Sequence, residues 1–318
     1  MTAIPTEVPI AFTSTRRRVL VAFLGLGAAA AAPRLARGQG TPTSDDGAIP
    51  YPTGADDLVL RVEDAGGFVP VEVNLTNVPR FSLYGDGRLI LLVPDPEAFD
   101  PLASVRALME TRLSPAAVRE VLAAAQTAGL LGGDQEYANA GVTDLPTTTI
   151  TTNAGGAVSR VSAYGLGLPA TEMTPARDRD ALTRLAAFVA GLGDLDRVLT
   201  AADRPPAPEP YAIERLQLIV APPNPNAEPV PDPAEWPLDT PLADLGDPAD
   251  VGGISYPEAS ARCAVLAGED AAALVDLLRA ENPPAAWTSD GETFQVLFRP
   301  LLPDETGCPV AAATPAAG

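Results

Sequence analysis

The 318-residue chain contains no histidine and no lysine. Without imidazole there is no serine or cysteine triad of the usual kind, no histidine-ligated zinc and no histidine proton shuttle. Without lysine there is no Schiff-base chemistry and no lysine-tipped phosphate loop. No Gly-x-Gly-x-x-Gly runs from a strand into a helix, and Gly25-Leu-Gly27 and Gly165-Leu-Gly167 stand as isolated fragments. No cofactor is therefore expected. Positive charge is scarce: 21 basic side chains, all arginine, face 41 acidic ones, a net charge of −20. Nucleic acid and anionic lipid surfaces both require a basic face, so neither is an expected partner.

What is present comes first at the N-terminus. Arg16, Arg17 and Arg18 precede the apolar run Val19–Phe23, Leu24 and Leu26, followed by alanines 28–32. That is a basic region before an apolar region of signal-peptide length, too short for a membrane span. The order Thr15-Arg16-Arg17-Arg18-Val19-Leu20 resembles the twin-arginine signal family, with valine where that family commonly has phenylalanine. Cleavage after Ala32 or after Gly38 fits the small residues at both sites; retention as an N-terminal anchor is the alternative. Residues 1–38 hold five arginines and one glutamate, leaving 16 basic and 40 acidic side chains, a charge of −24, from Gln39 onward. The expected location is secreted or at the cell-envelope exterior. There the two cysteines, Cys263 and Cys308, allow a single pairing, worth roughly 3–4 kcal/mol in the chain-entropy model. Two buried free thiols are the other reading.

Hydrophobic content of 46 % is ample for buried cores, while 35 prolines and 27 glycines require many turns. Residues 39–55 read as a flexible tether. Leu58, Leu60 and Val62 alternate as a strand, and Gly85-Asp86-Gly87 joins two β-rich arms over 81–92 as a hairpin. Ser114-Pro115 opens a helix closed by Gly129, with Val118, Val121, Leu122 and Ala125 at core-facing spacing. A second hairpin spans 147–164 around Asn153–Gly156, and a second helix runs from Thr174-Pro175 to Gly193 with Leu182, Leu185, Phe188, Val189 and Leu192 inward.

Residues 204–210, Arg-Pro-Pro-Ala-Pro-Glu-Pro, read as a stiff linker. Beyond it the sequence predicts a strand over 213–220, an irregular proline-rich stretch over 222–250, a strand over 261–266, a helix over 269–280 and a hairpin over 287–299. The expected class is α+β: two small domains, 56–203 and 211–309, each an antiparallel sheet with hairpins packed against one or two helices, with 310–318 as a disordered tail. The order strand, strand, helix, hairpin recurs in both halves, the trace a duplication would leave.

Candidate chemistry is sparse. Asp134, Glu136 and Asp144, flanking Tyr137, are the preferred ligand-binding group; a carboxylate pair among them would suit a hydrolase of envelope glycans. Asp144 also reads simply as a turn cap. Asp244, Asp247 and Asp250, or Asp95, Glu97 and Asp100, offer oxygen ligands for a calcium-stabilised adhesion module, but neither set matches the 12-residue calcium loop. Trp287 reads as core, and Trp236, between Glu235 and Pro237, as a surface anchor for a ligand. The missing nucleophile–base sets favour a non-catalytic binding or structural module over either alternative.

Phe81-Ser-Leu-Tyr-Gly-Asp-Gly-Arg88, the helix from Leu113-Ser-Pro115 to Ala128-Gly-Leu130, and Val142-Thr-Asp-Leu-Pro-Thr-Thr-Thr149 together resemble a family of exported bacterial proteins of unknown function. The resemblance covers about residues 57–165. It implies an exported α+β domain with no assigned activity or catalytic residue; the partner expected from the compartment is an unknown envelope or extracellular ligand.

Overall fold

The computed structural model describes residues 48–93, 100, 102–223, 233–249, 261–280 and 283–308. The signal-like segment, most of the tether and the C-terminal tail lie outside them.

Alternating apolar residues build a first sheet from β1 (Leu58–Gly66), with the short helix α1 (Val71–Leu75) after it, then β2 (Phe81–Tyr84), β3 (Arg88–Leu92) and β4 (Leu108–Arg112). Helix α2 (Pro115–Ala128) follows, then β5 (Gln135–Ala138), β6 (Pro146–Ala154), β7 (Ala157–Tyr164), α3 (Ala176–Leu192) and the short β8 (Glu209–Pro210). The spatial order is β5-β7-β6-β1-β2-β3-β4-β8. All neighbours are antiparallel except β5, which lies parallel to β7 at one edge. The second sheet comprises β9 (Arg215–Ala221), β10 (Ala234–Glu235), β11 (Asp247–Pro248), β12 (Arg262–Ala267), β13 (Trp287–Ser289) and β14 (Glu292–Pro300), with α4 (Gly268–Leu278) between β12 and β13. Its order is β10-β13-β14-β9-β12-β11. The α+β class with two helix-covered sheets is thus as the sequence implies.

Local signals placed these elements well. Ser114 caps α2 by accepting a hydrogen bond from the Ala117 amide at 3.0 Å, and Gly129 closes it in the left-handed conformation at φ 87°. In the β2–β3 hairpin only Gly87 takes positive φ (86°). Gly85 is needed for another reason: a Cβ there would lie 2.3 Å from the carbonyl oxygen of Pro52.

Two expectations about connections need correcting. Ile49 to Tyr51 are not free tether: Tyr51 is buried in the first core, and the Gly155 amide donates to the Pro50 carbonyl at 2.8 Å. Residues 204–210 are extended, as their prolines require, but they are also docked. Thr111 donates to the Pro206 carbonyl at 2.9 Å, and Glu209–Pro210 pairs with Met109–Glu110 on β4.

One face of the first sheet, with Leu60, Val62, Leu83 and Ile150, packs beneath Val121 and Leu122 of α2 and Leu185 and Phe188 of α3. On its other side Tyr84, Ile90 and Leu108 join a second core with Leu216 and Leu218 of β9, Phe298 of β14 and Leu274 of α4. The two halves therefore share apolar surface beyond the covalent connection.

Candidate functional site

Strands lie about 4.8 Å apart and a helix with its side chains is about 10 Å wide, so two helices cover roughly four strands. The first sheet has eight. A cleft of about 660 Å³ opens where α3 meets the β2–β3–β4 side of the sheet. Phe81, Leu91 and Met109 form its floor. Its wall is Ala186, Val189, Ala190 and Gly193, at i, i+3, i+4 and i+7, a stripe of mostly small residues beside the large-residue stripe that enters the core. These short side chains fill little of the space between helix and sheet, and the cleft stays open. Leu166 and Gly167, from the turn after β7, add to the lining.

Arg80 is the one ionisable group among the described lining residues. Its Nη2 donates to Asp64 Oδ1 at 2.7 Å and to Thr148 Oγ1 at 3.3 Å, while the Thr148 hydroxyl donates to the same Asp64 oxygen at 2.6 Å. Asp64 and Thr148 are register partners on β1 and β6, so the sheet itself fixes this triad at the end of the cleft.

A charged cluster lies elsewhere, where the first sheet meets β14 and the segment after it. Arg61 reaches Asp304 Oδ1 at 2.7 Å and donates to Tyr84 Oη and Ser82 Oγ, each at 3.2 Å; Glu305 Oε1 stands 3.7 Å away. The Tyr84 hydroxyl donates to Asp304 Oδ1 at 2.7 Å. Arg299 grips Glu305 with two parallel bonds of 2.9 and 2.7 Å, and its Nε donates to the Asn77 carbonyl at 2.7 Å. Two arginines and two carboxylates balance. Burial acts to lower the Arg61 pKa, but Asp304, with Tyr84 and Glu305 behind it, outweighs burial and raises it. The Tyr84 phenol is pushed well above its ordinary range by burial and then by Asp304, against the opposing pull of Arg61. Burial also raises Tyr211, partly opposed by Arg88. With every member matched to an opposite charge or a hydrogen-bond partner, the cluster is built to hold two elements together.

A pH dependence follows from the phenols. The unfolded chain releases their protons near the ordinary tyrosine value of about 10, whereas the folded chain keeps them. Their contribution to stability is whole below about pH 10 and falls as pH rises beyond it. Alkaline titration followed by phenolate absorbance should show the Tyr84 phenol ionising only as the protein unfolds, with Tyr211 delayed and the melting temperature falling over the same range. Free ionisation of all six tyrosines in the folded protein would contradict the assignment.

The residues singled out from sequence do not converge. Asp134, ahead of β5, accepts the Arg160 amide at 2.8 Å. Glu136 is exposed at the β5 edge. Tyr137 packs partly against the first core, with the Arg177 guanidinium 5.6 Å from its ring centroid. Asp144 sits at φ 61° in the turn before β6, its carbonyl accepting the Phe68 amide at 3.1 Å, so its backbone shapes the turn. Asp134 and Asp144 lie toward opposite ends of the short β5–β7 pairing, and none of the four lines the cleft. Trp236 is not a surface anchor. It is 8 % exposed, its Nε1 donates to the Thr240 carbonyl at 3.0 Å, and its ring meets Trp287 edge-on at 5.2 Å. Among the described residues no group of three acidic or cysteine side chains is placed to hold a metal; Asp95, Glu97 and Asp250 lie outside them. Cys263 and Cys308 form a disulfide. The small-residue stripe of α3 is the signal that sequence reading passed over. No family model, curated protein or solved structure matches the chain.

Proposed function

We propose that the protein is an exported, non-catalytic binding module that holds a small apolar molecule in the cleft between α3 and the first sheet. The observation that carries this reading is the cleft itself: about 660 Å³, within the usual range for ligand pockets, lined by aliphatic and aromatic side chains with one charged group at its end. Export is supported by the Cys263–Cys308 disulfide, which forms and persists in oxidising compartments. The twin-arginine-like N-terminus and the resemblance of residues 57–165 to exported bacterial proteins point to the same compartment.

The uncharged fluorophore N-phenyl-1-naphthylamine tests the reading. It should bind saturably at one site per chain, and Ala190→Trp, which fills the cleft from an exposed helix position, should weaken that binding at least about tenfold with the melting temperature held. Non-saturable binding, or binding indifferent to Ala190→Trp, would sink the proposal.

A further inference from the structure

We infer that the cleft selects a molecule with an apolar body and an uncharged hydrogen-bond acceptor at one end, such as a ketone, ester or ether oxygen, set against Arg80. This rests on the binding reading above and adds the chemistry of the ligand's polar end.

The inference starts from what Arg80 has left to offer. Both hydrogens of Nη2 are committed, one to Asp64 Oδ1 and one to Thr148 Oγ1. Nε is buried without a partner. A guanidinium carries five donors in a fixed fork, so this one is held in place at Nη2 and unmatched at Nε. Nε is already shut off from water, and a ligand that fills the cleft lies against this guanidinium and its donors. A wholly apolar ligand leaves them without acceptors, whereas one with an oxygen at its end supplies one.

Charge decides which oxygen. The Arg80 charge is balanced by a carboxylate oxygen 2.7 Å away. A carboxylate or phosphate ligand would add a second negative group beside Asp64, in a chain already at −20. An ammonium group would meet Arg80 as the one charge on the described lining. A neutral acceptor meets neither penalty. The remaining lining is apolar, with Leu91, Met109 and Val189 able to receive a hydrocarbon body of either linear or ring form.

Three ligands of equal chain length separate these cases by displacement of N-phenyl-1-naphthylamine at neutral pH: 2-decanone, decanoate and decylammonium. The ketone should displace the fluorophore at a concentration about tenfold lower than either ion, because decylammonium lacks the acceptor and decanoate carries an unbalanced charge out of water. The pair Asp64→Asn with Arg80→Met removes both charges together and keeps an acceptor for Thr148. In it the ketone midpoint should rise about tenfold relative to that of naphthalene, which has no acceptor to lose. Displacement by decanoate or decylammonium at concentrations equal to or below that of the ketone overturns the inference while leaving the cleft a binding site. An unmoved ketone-to-naphthalene ratio in the double variant does the same. Failure of the fluorophore to bind saturably removes the binding reading and this inference together. The ligand series in the unmodified protein decides the question even where the double variant does not fold.

Discussion

Arg61→Met should lower the free energy of unfolding by about 3–5 kcal/mol, the usual cost of removing one partner from a buried ion pair. Arg61 lies on β1, and its side chain is 10 % exposed; it touches Asp304 and approaches Glu305 at 22 % and 15 % exposure, respectively. Methionine preserves much of the volume but leaves Asp304 with the Tyr84 hydroxyl as its remaining partner within the cluster, in a site where water replaces the lost guanidinium only in part. The loss should shrink when Asp304→Leu is added, because the stranded carboxylate goes with it. The matching control is Arg197→Met, whose partner Asp194 is itself 51 % exposed. That pair is solvated on both sides and should contribute no more than about 1 kcal/mol. Urea unfolding of the four proteins gives the comparison directly. Equal losses for Arg61→Met and Arg197→Met would mean that the buried quartet holds nothing together.

The parts of the fold visible in sequence are those specified by neighbours. The cap of α2 needs only Ser114, Pro115 and Gly129 in order, and the β13–β14 hairpin needs Asp290 and Gly291, both at positive φ. The parts that were hidden depend on distant partners. Leu108–Arg112 carries two charges in five residues and reads as strand only once β3 lies beside it. Gln135–Ala138 is an edge strand with a polar, half-exposed pattern, and its parallel pairing with β7 leaves no local trace.

Trp236 misleads for the same reason. Its sequence neighbours, Glu235 and Pro237, are polar or turn-forming, while the ring that buries it belongs to Trp287, 51 positions on. The cleft is an intermediate case. Ala186, Val189, Ala190 and Gly193 were readable as a helical stripe, but small residues usually mark close packing, and only the width of the sheet shows that here they leave space. The carboxylates around Tyr137 are neighbours in sequence alone. Strand geometry then sends Asp134 and Asp144 toward opposite ends of one edge.

Cys263→Ser with Cys308→Ser should cost about 4 kcal/mol, since the bond closes a loop of 45 residues whose freedom the unfolded chain then regains. The effect should reach further than loop entropy. Cys308 ends the segment that follows β14, and that same segment carries Asp304 and Glu305 to the first sheet. Its backbone is fixed mainly at its start: the Leu301 amide donates to the Arg215 carbonyl at 3.0 Å, the Arg215 guanidinium donates to the Leu302 and Pro303 carbonyls at 2.9 and 3.2 Å, and Leu301 and Leu302 are buried. Gly307, at φ 88°, lets the chain turn where a Cβ would strike Val265 at 2.5 Å. With the disulfide gone, the part of the segment beyond Pro303 is freer to carry Asp304 and Glu305 out to water when Arg61 is lost, so bond and cluster should be coupled. A double-mutant cycle between the serine pair and Arg61→Met should give an interaction energy of about 0.5–3 kcal/mol, the combined loss being smaller than the sum of the separate ones. Strict additivity would show that the disulfide and the ion cluster stabilise independent parts of the molecule.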